Sequence, residues 1–189
     1  MNLDVKKGVF CVAGVILMVA AAACLGGTLK PSIVEREEFL VVGIEARTSN
    51  AQETTSEGVI PKQWDRFFKE GVLGKIPNKA DSNILAVYTE YASDRKGEYT
   101  YLLGAKVSAA SSAPTGMAIL RVSRSRYAVV TTGKGPVGKV VREAWQEIWD
   151  LEDHSRLGGQ RTYQADFEAY DERSRDPQNS QVDIYVGVR

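Results

Sequence analysis

The chain has 189 residues, 24 basic and 24 acidic side chains, 43% hydrophobic content and two cysteines. That length suits one domain with an appendage, and three Trp with eight Tyr supply too many core-formers for a disordered chain. Zero net charge offers no basic footprint for nucleic acid, and two cysteines cannot build a disulfide framework.

The first feature along the chain is residues 8–29, GVFCVAGVILMVAAAACLGGTL, with no charge between Lys7 and Lys30 and both cysteines (Cys11 and Cys24) inside. About 20 apolar residues rising about 1.5 Å each cross a hydrocarbon core of about 30 Å. A buried helix of a globular domain would carry a polar face, and this run has none. It reads as an uncleaved membrane anchor over residues 1–30. The alternatives are a cleaved signal peptide, with Ala21, Ala22 and Ala23 as its small-residue site, and a lipoprotein signal lipidated at Cys24. Lys6 and Lys7 before the run, against Glu35, Glu37 and Glu38 after it, point the N-terminus to the cytoplasm and residues 31–189 outward. The expected location is therefore a bacterial cytoplasmic membrane, single-pass, with an extracytoplasmic domain.

The remainder reads as one domain. Residues 38–47 are apolar and β-branched and predict a strand. Pro61 opens a helix over residues 61–70, with Ile60, Trp64, Phe67 and Phe68 at helical spacing. Strands are predicted over 84–91 and 99–107, joined by a turn at 93–97. A linker at 108–116 leads to a strand at 117–122. The order then repeats: a strand at 127–132, and a helix with Val137, Val140, Val141, Ala144, Trp145, Ile148 and Trp149 on one face. A break at Gly158 and Gly159 precedes strands at 163–170 and 182–188.

The two halves can be overlaid, Tyr88 on Tyr170 and Gly104 on Gly187 within one residue. The expected architecture is α+β: duplicated strand-helix-strand-strand units with pseudo-twofold symmetry around a central ligand cleft, plus the N-terminal hydrophobic helix. Each helix would cover one face of its unit's sheet, leaving the other face for the twin unit or a ligand.

Several chemistries lack their residues. The stretch 133–140, GKGPVGKV, nearly matches a phosphate-binding loop, but Val140 stands where a magnesium-binding hydroxyl is needed and Pro136 removes an N–H donor. A helix-entry turn is the better reading. His154 is the single histidine, no His or Cys pair has metal-ligand spacing, and no nucleophile elbow occurs. No cofactor, metal or catalytic residue is assigned.

The carboxylates and aromatics remain. Strand alternation in residues 163–170 puts Asp166, Glu168 and Tyr170 on one face and Phe167 and Ala169 on the other. Ala86 and Tyr88 take the places of Glu168 and Tyr170 in the first half, so the acid occurs in one half only. If that face lines a cleft, a single carboxylate sits among Tyr88, Tyr101, Tyr170, Trp64 and Trp145. Such a lining suits a lipophilic cation. Alternation alone favours the plainer reading, that Glu168 is a solvated outer-face residue.

The ordered set Ile60-Pro61…Trp64…Phe67, Leu85 to Tyr88, Tyr99 to Gly104, Tyr127 to Pro136, Ala144 to Trp149, Phe167-Glu168-Ala169-Tyr170 and Asp183 to Val188 resembles the GyrI-like domain. This is the effector-binding module of AraC- and MerR-type regulators and of integron-cassette drug-binding proteins. The resemblance runs from about residue 36 to the C-terminus. It implies a ligand cleft between the halves for amphipathic, often cationic, small molecules, with Glu168 meeting the cation beside Tyr170. Trp64, Tyr88, Tyr101 and Trp145 carry over as further ligand-binding residues. Family regulators also carry a DNA-binding helix-turn-helix region, and residues 1–30 have no room for one. The expected function is a membrane-tethered module that binds lipophilic, cationic compounds, without direct nucleic-acid binding. The alternative is a hydrolase of electrophilic small molecules in which Glu168 works with Asp166 or Tyr170.

Overall fold

The computed structural model describes residues 30–189. The anchor expected at residues 8–29 lies outside them, and among the described residues no helix is long and apolar enough to cross a membrane. The elements, in order, are β1 (Ser32–Arg36), β2 (Phe39–Ser49), α1 (Asn50–Glu53), α2 (Ile60–Lys69), α3 (Val72–Lys75), β3 (Ile84–Thr89), β4 (Glu98–Val107), β5 (Ala118–Val122), β6 (Ser125–Thr131), α4 (Val137–Asp153), β7 (Ala165–Tyr170), a 3-10 turn (Glu172–Ser174) and β8 (Asp183–Val188). Every ladder is antiparallel, and the strands form one sheet in the order β1-β6-β8-β7-β3-β4-β2-β5.

This single sheet corrects the expectation of two facing units. The halves join edge to edge through β3 and β7, with Ala86 opposite Glu168 and Tyr88 opposite Asp166. Both long helices lie on one face. Phe67 of α2 packs with Val42, Ile44, Tyr99 and Leu103, while Ala144, Ile148 and Leu151 of α4 pack with Ala128, Ile184 and Val186. The opposite face holds strand residues alone, among them Val41, Val87, Leu102, Tyr127, Phe167 and Tyr185. It closes because the sheet coils. Phe39 and Phe167 lie three strands apart, about 14 Å in a flat sheet, yet their ring centroids are 5.5 Å apart. A coiled face that fills itself leaves no room for a ligand, so the open space lies on the helix side.

The helices follow local sequence logic. In α4, Val140, Ala144, Ile148 and Leu151 are the buried residues, at the three- and four-residue spacing of one helical face. Helix α2 begins at Val59, which has no capping side chain. Glu53 of α1 supplies the cap instead, accepting from the N–H groups of Val59 at 2.8 Å and Ile60 at 3.1 Å. Strand β1 lies at the sheet edge with four of its five residues exposed, so no alternation marked it in the sequence.

Gly43 of β2 and Gly104 of β4 face each other in register. A Cβ at Gly104 would stand 2.0 Å from the Val42 carbonyl oxygen and 2.7 Å from the Gly43 Cα. Gly104→Ala should therefore force the strands apart and lower unfolding free energy by about 1–3 kcal/mol, read by denaturant melts. An unchanged midpoint would show that the strands yield freely at this point.

Candidate functional site

A cavity of about 720 Å³ opens between α2, α4 and the helix-side face of the sheet. Ile60 and Trp64 line it from α2, Val141, Trp145 and Trp149 from α4, and Tyr88 from β3. Glu168 and Tyr170 contribute from β7. The walls are mostly apolar, as expected of a ligand pocket; of the acidic residues among them, Glu53, Asp65 and Glu168, only Glu168 is fully buried, and it forms no ion pair among the described residues.

The Glu168 side chain is 1% exposed. Its Oε1 accepts from the Tyr88 hydroxyl at 2.8 Å and from the Trp145 indole N–H at 2.6 Å. Its Oε2 accepts from the Tyr170 hydroxyl at 2.7 Å. All three donors are neutral. Burial pushes the Glu168 carboxyl above its ordinary value, and the hydrogen bonds from Trp145, Tyr170 and Tyr88 pull in the opposite direction. Burial and the Glu168 charge both push the Tyr88 and Tyr170 phenols up, which keeps them protonated as donors.

Around this core the rings meet edge to face. Tyr88 contacts Tyr99, Tyr101 and Trp145 at centroid distances of 5.5, 5.2 and 5.3 Å. Trp64 meets Tyr170 at 4.9 Å and stacks on Phe68, which is 65% exposed and also lines the cavity. Five of the six expected residues thus line one cavity: Glu168, Tyr170, Tyr88, Trp64 and Trp145. Tyr101 is fully buried against Tyr88 and sits one layer behind the wall. Alternation assigns a face but not a depth, which is why it joined the group in the sequence.

The second acid of β7 has another task. Asp166, fully buried, accepts from Arg161 Nη2 at 2.6 Å, from the Tyr91 hydroxyl at 2.7 Å and from the Gly187 N–H at 2.8 Å. Asp166 is thereby committed to an ion pair. Arg161, Tyr91, Tyr99 and Trp149 are lining residues not singled out in the sequence. Arg161 stands in a segment without hydrophobic period, so no pattern marked it, whereas Trp149 already lay on the predicted helix face.

The other sequence candidates resolve simply. His154 is exposed at the end of α4, with Nδ1 2.8 Å from the Asp150 carbonyl oxygen. Around the phosphate-loop look-alike, the N–H of Gly135 bonds to Ser180 O and that of Val137 to Pro177 O, so these donors are already spent. Among the described residues no group of three or more His, Cys, Asp or Glu could hold a metal.

Residues 32–188 match the family model described as Cass2, integron-associated effector binding protein. The chain belongs to this family. It is 36% identical to YobU of Bacillus subtilis (strain 168) over 148 residues, 78% of this chain and 90% of that protein. Among solved structures, integron cassette protein VCH_CASS2 from the mobile metagenome of Vibrio cholerae is 26% identical, with a TM-score of 0.66 over 85% of this chain and 99% of that one. SAV2435, whose structure is bound to tetraphenylphosphonium, shares the fold at 18% identity and a TM-score of 0.70, over 85% of this chain and 94% of that one. The chain is thus an effector-binding domain, α+β in class, with an eight-stranded antiparallel sheet and four helices among the described residues.

Burial holds the Glu168 carboxyl above its usual 4.5 in the folded protein, so between pH 4.5 and the raised value the folded state keeps a proton that the unfolded chain releases. Its contribution to stability is full below pH 4.5 and is lost as pH rises through the folded value. The stability of wild type relative to Glu168→Gln should accordingly fall with rising pH in thermal melts of the ligand-free protein. Parallel pH curves for the two would contradict the assignment.

Proposed function

We propose that this effector-binding domain is a receptor for lipophilic cations, with Glu168 as the fixed countercharge. The observation that carries the reading is a fully buried carboxylate held by three neutral donors inside an aromatic cavity. An ionised carboxylate in such surroundings is costly unless a positive charge offsets it, and among the described residues none forms an ion pair with it. A ligand that brings the cation lowers that cost and gains from the ring faces as well, by ~0.5–2 kcal/mol each. Tetraphenylphosphonium, which SAV2435 holds in the same fold, has this chemistry.

We also read the two halves as a duplicated unit. Outward from the β3–β7 seam the first half runs β3-β4-β2 and the second runs β7-β8-β6, the same order of equivalent strands about a pseudo-twofold. On this reading the cavity straddles the seam, and asymmetry in the sequence, Ala86 against Glu168, gives it one charge rather than two. The hydrolase alternative asks for a second group free to handle a proton or water. Asp166 is bonded to Arg161 and Tyr91, which favours binding over turnover. The run at 8–29, charge-free between Lys7 and Lys30, supports a tether to a bacterial cytoplasmic membrane with the domain outside it.

Tetraphenylphosphonium and tetraphenylborate share size and shape and differ in sign, so they isolate the charge. The full chain should quench its tryptophan fluorescence with the cation and bind the anion at least tenfold more weakly, whereas Glu168→Gln should lose that discrimination. Equal binding of both ions by wild type would sink the countercharge role. For the tether, the full chain should stay with membranes through an alkaline carbonate wash, and a chain starting at residue 30 should not. Release of the full chain would refute the anchor.

A further inference from the structure

We propose that Arg161 forms a second polar subsite in this cavity, reading a hydrogen-bond acceptor on the ligand, so that the preferred ligands are cations that also carry a carbonyl, ester or ether oxygen. The inference rests on the cation reading above and narrows the ligand class.

Arg161 is held firmly. The flanking backbone ties to the last strand, with the Gln160 N–H bonded to Arg189 O and the Thr162 N–H to Gly187 O, and Arg161 itself bridges to Val188. Its side chain is 3% exposed and lines the same cavity as Glu168. The guanidinium lies 4.4 Å over the Tyr163 ring and 5.6 Å from the Trp145 ring centroid. Nη2 donates to Asp166 and Nη1 to Glu152 Oε2 at 3.3 Å. The Nε–H is buried and has no acceptor among the described residues.

Two consequences follow from that donor set. Asp166 and Glu152 flank the guanidinium, so it does not present net positive charge to a cationic ligand. An orphaned buried donor carries a desolvation penalty that a ligand oxygen would remove. Sites with such donors discriminate against analogues lacking the acceptor, because the buried group then stays unpaired. Trp145 sets the reach: its indole N–H bonds Glu168 and its ring lies beside Arg161, so a ligand lying along this one side chain meets both features.

The test uses two phosphonium cations of matched shape, (para-acetylbenzyl)triphenylphosphonium and (para-isopropylbenzyl)triphenylphosphonium, titrated into the full chain. Wild type should prefer the acetyl compound by about tenfold, the scale of one hydrogen bond from a charged donor. Arg161→Lys keeps a cation for Asp166 but places a methylene where Nε stood. It should lose the preference, the two affinities coming within about twofold of each other, whatever the absolute affinity of the variant. Should that variant not fold, the double variant Arg161→Met with Asp166→Asn, which removes both charges, is expected to give the same loss. Equal affinities in wild type, or a preference that survives the loss of Nε, would overturn the Arg161 subsite and leave the cation reading standing. Failure of both phosphonium compounds to bind wild type would overturn the two together.

Discussion

The site depends on a carboxylate placed where water cannot reach it. Glu168 is 1% exposed and is kept in place by Tyr88, Trp145 and Tyr170, which come from β3, α4 and β7. Two of those elements belong to the second half of the chain and one to the first. The same three hydrogen bonds therefore fix the charge and pin the seam between the halves. The register makes this possible. Ala86 stands directly opposite Glu168, so the small side chain leaves room, and Tyr88, one same-face step away, reaches the carboxylate with its hydroxyl.

Adjacent positions on one strand face have opposite fates. Asp166 is met by a guanidinium, a phenol and a backbone N–H, and its charge is balanced within the protein. Glu168, two residues on, receives donors of equal number but no charge. Breaking the first set would strand Arg161 or Asp166 as an uncompensated buried ion, a severe loss of stability. Removing the charge at the second would relieve burial rather than create it. Residues that serve the fold and residues that serve a ligand thus separate by charge balance, although burial alone does not distinguish them.

Much of this was legible locally. Alternation in residues 163–170 put Asp166, Glu168 and Tyr170 on one face, and the structure keeps them there. The helical stripes predicted both long helices within a few residues, because each buries one continuous apolar face. What pattern does not carry is long-range pairing. The β3–β7 ladder joins Ile84 to Tyr170 across most of the domain, and without it two separate sheets were the simpler expectation. Arg161 was invisible for a related reason: its role comes from Asp166, Glu152 and Tyr163 converging in space, not from its neighbours in sequence. The edge strand β1 and the short helices α1 and α3 bury too little to leave a period.

On the proposed reading, the three donors around Glu168 also decide which cations fit. A carboxylate has about four lone-pair positions, and three are occupied. Little capacity remains to replace the water that a compact ammonium or metal ion must shed on entering. A cation whose charge is spread over, or shielded by, aromatic groups sheds little hydration and needs no direct hydrogen bond. It is attracted through the charge of Glu168 across the low-polarity cavity and through the faces of Trp64, Trp145 and Tyr170. Selectivity for greasy cations then arises from the hydration that small ions cannot recover, more than from shape. The cost falls on the ligand-free protein, where burial without a balancing cation disfavours the charged form of Glu168.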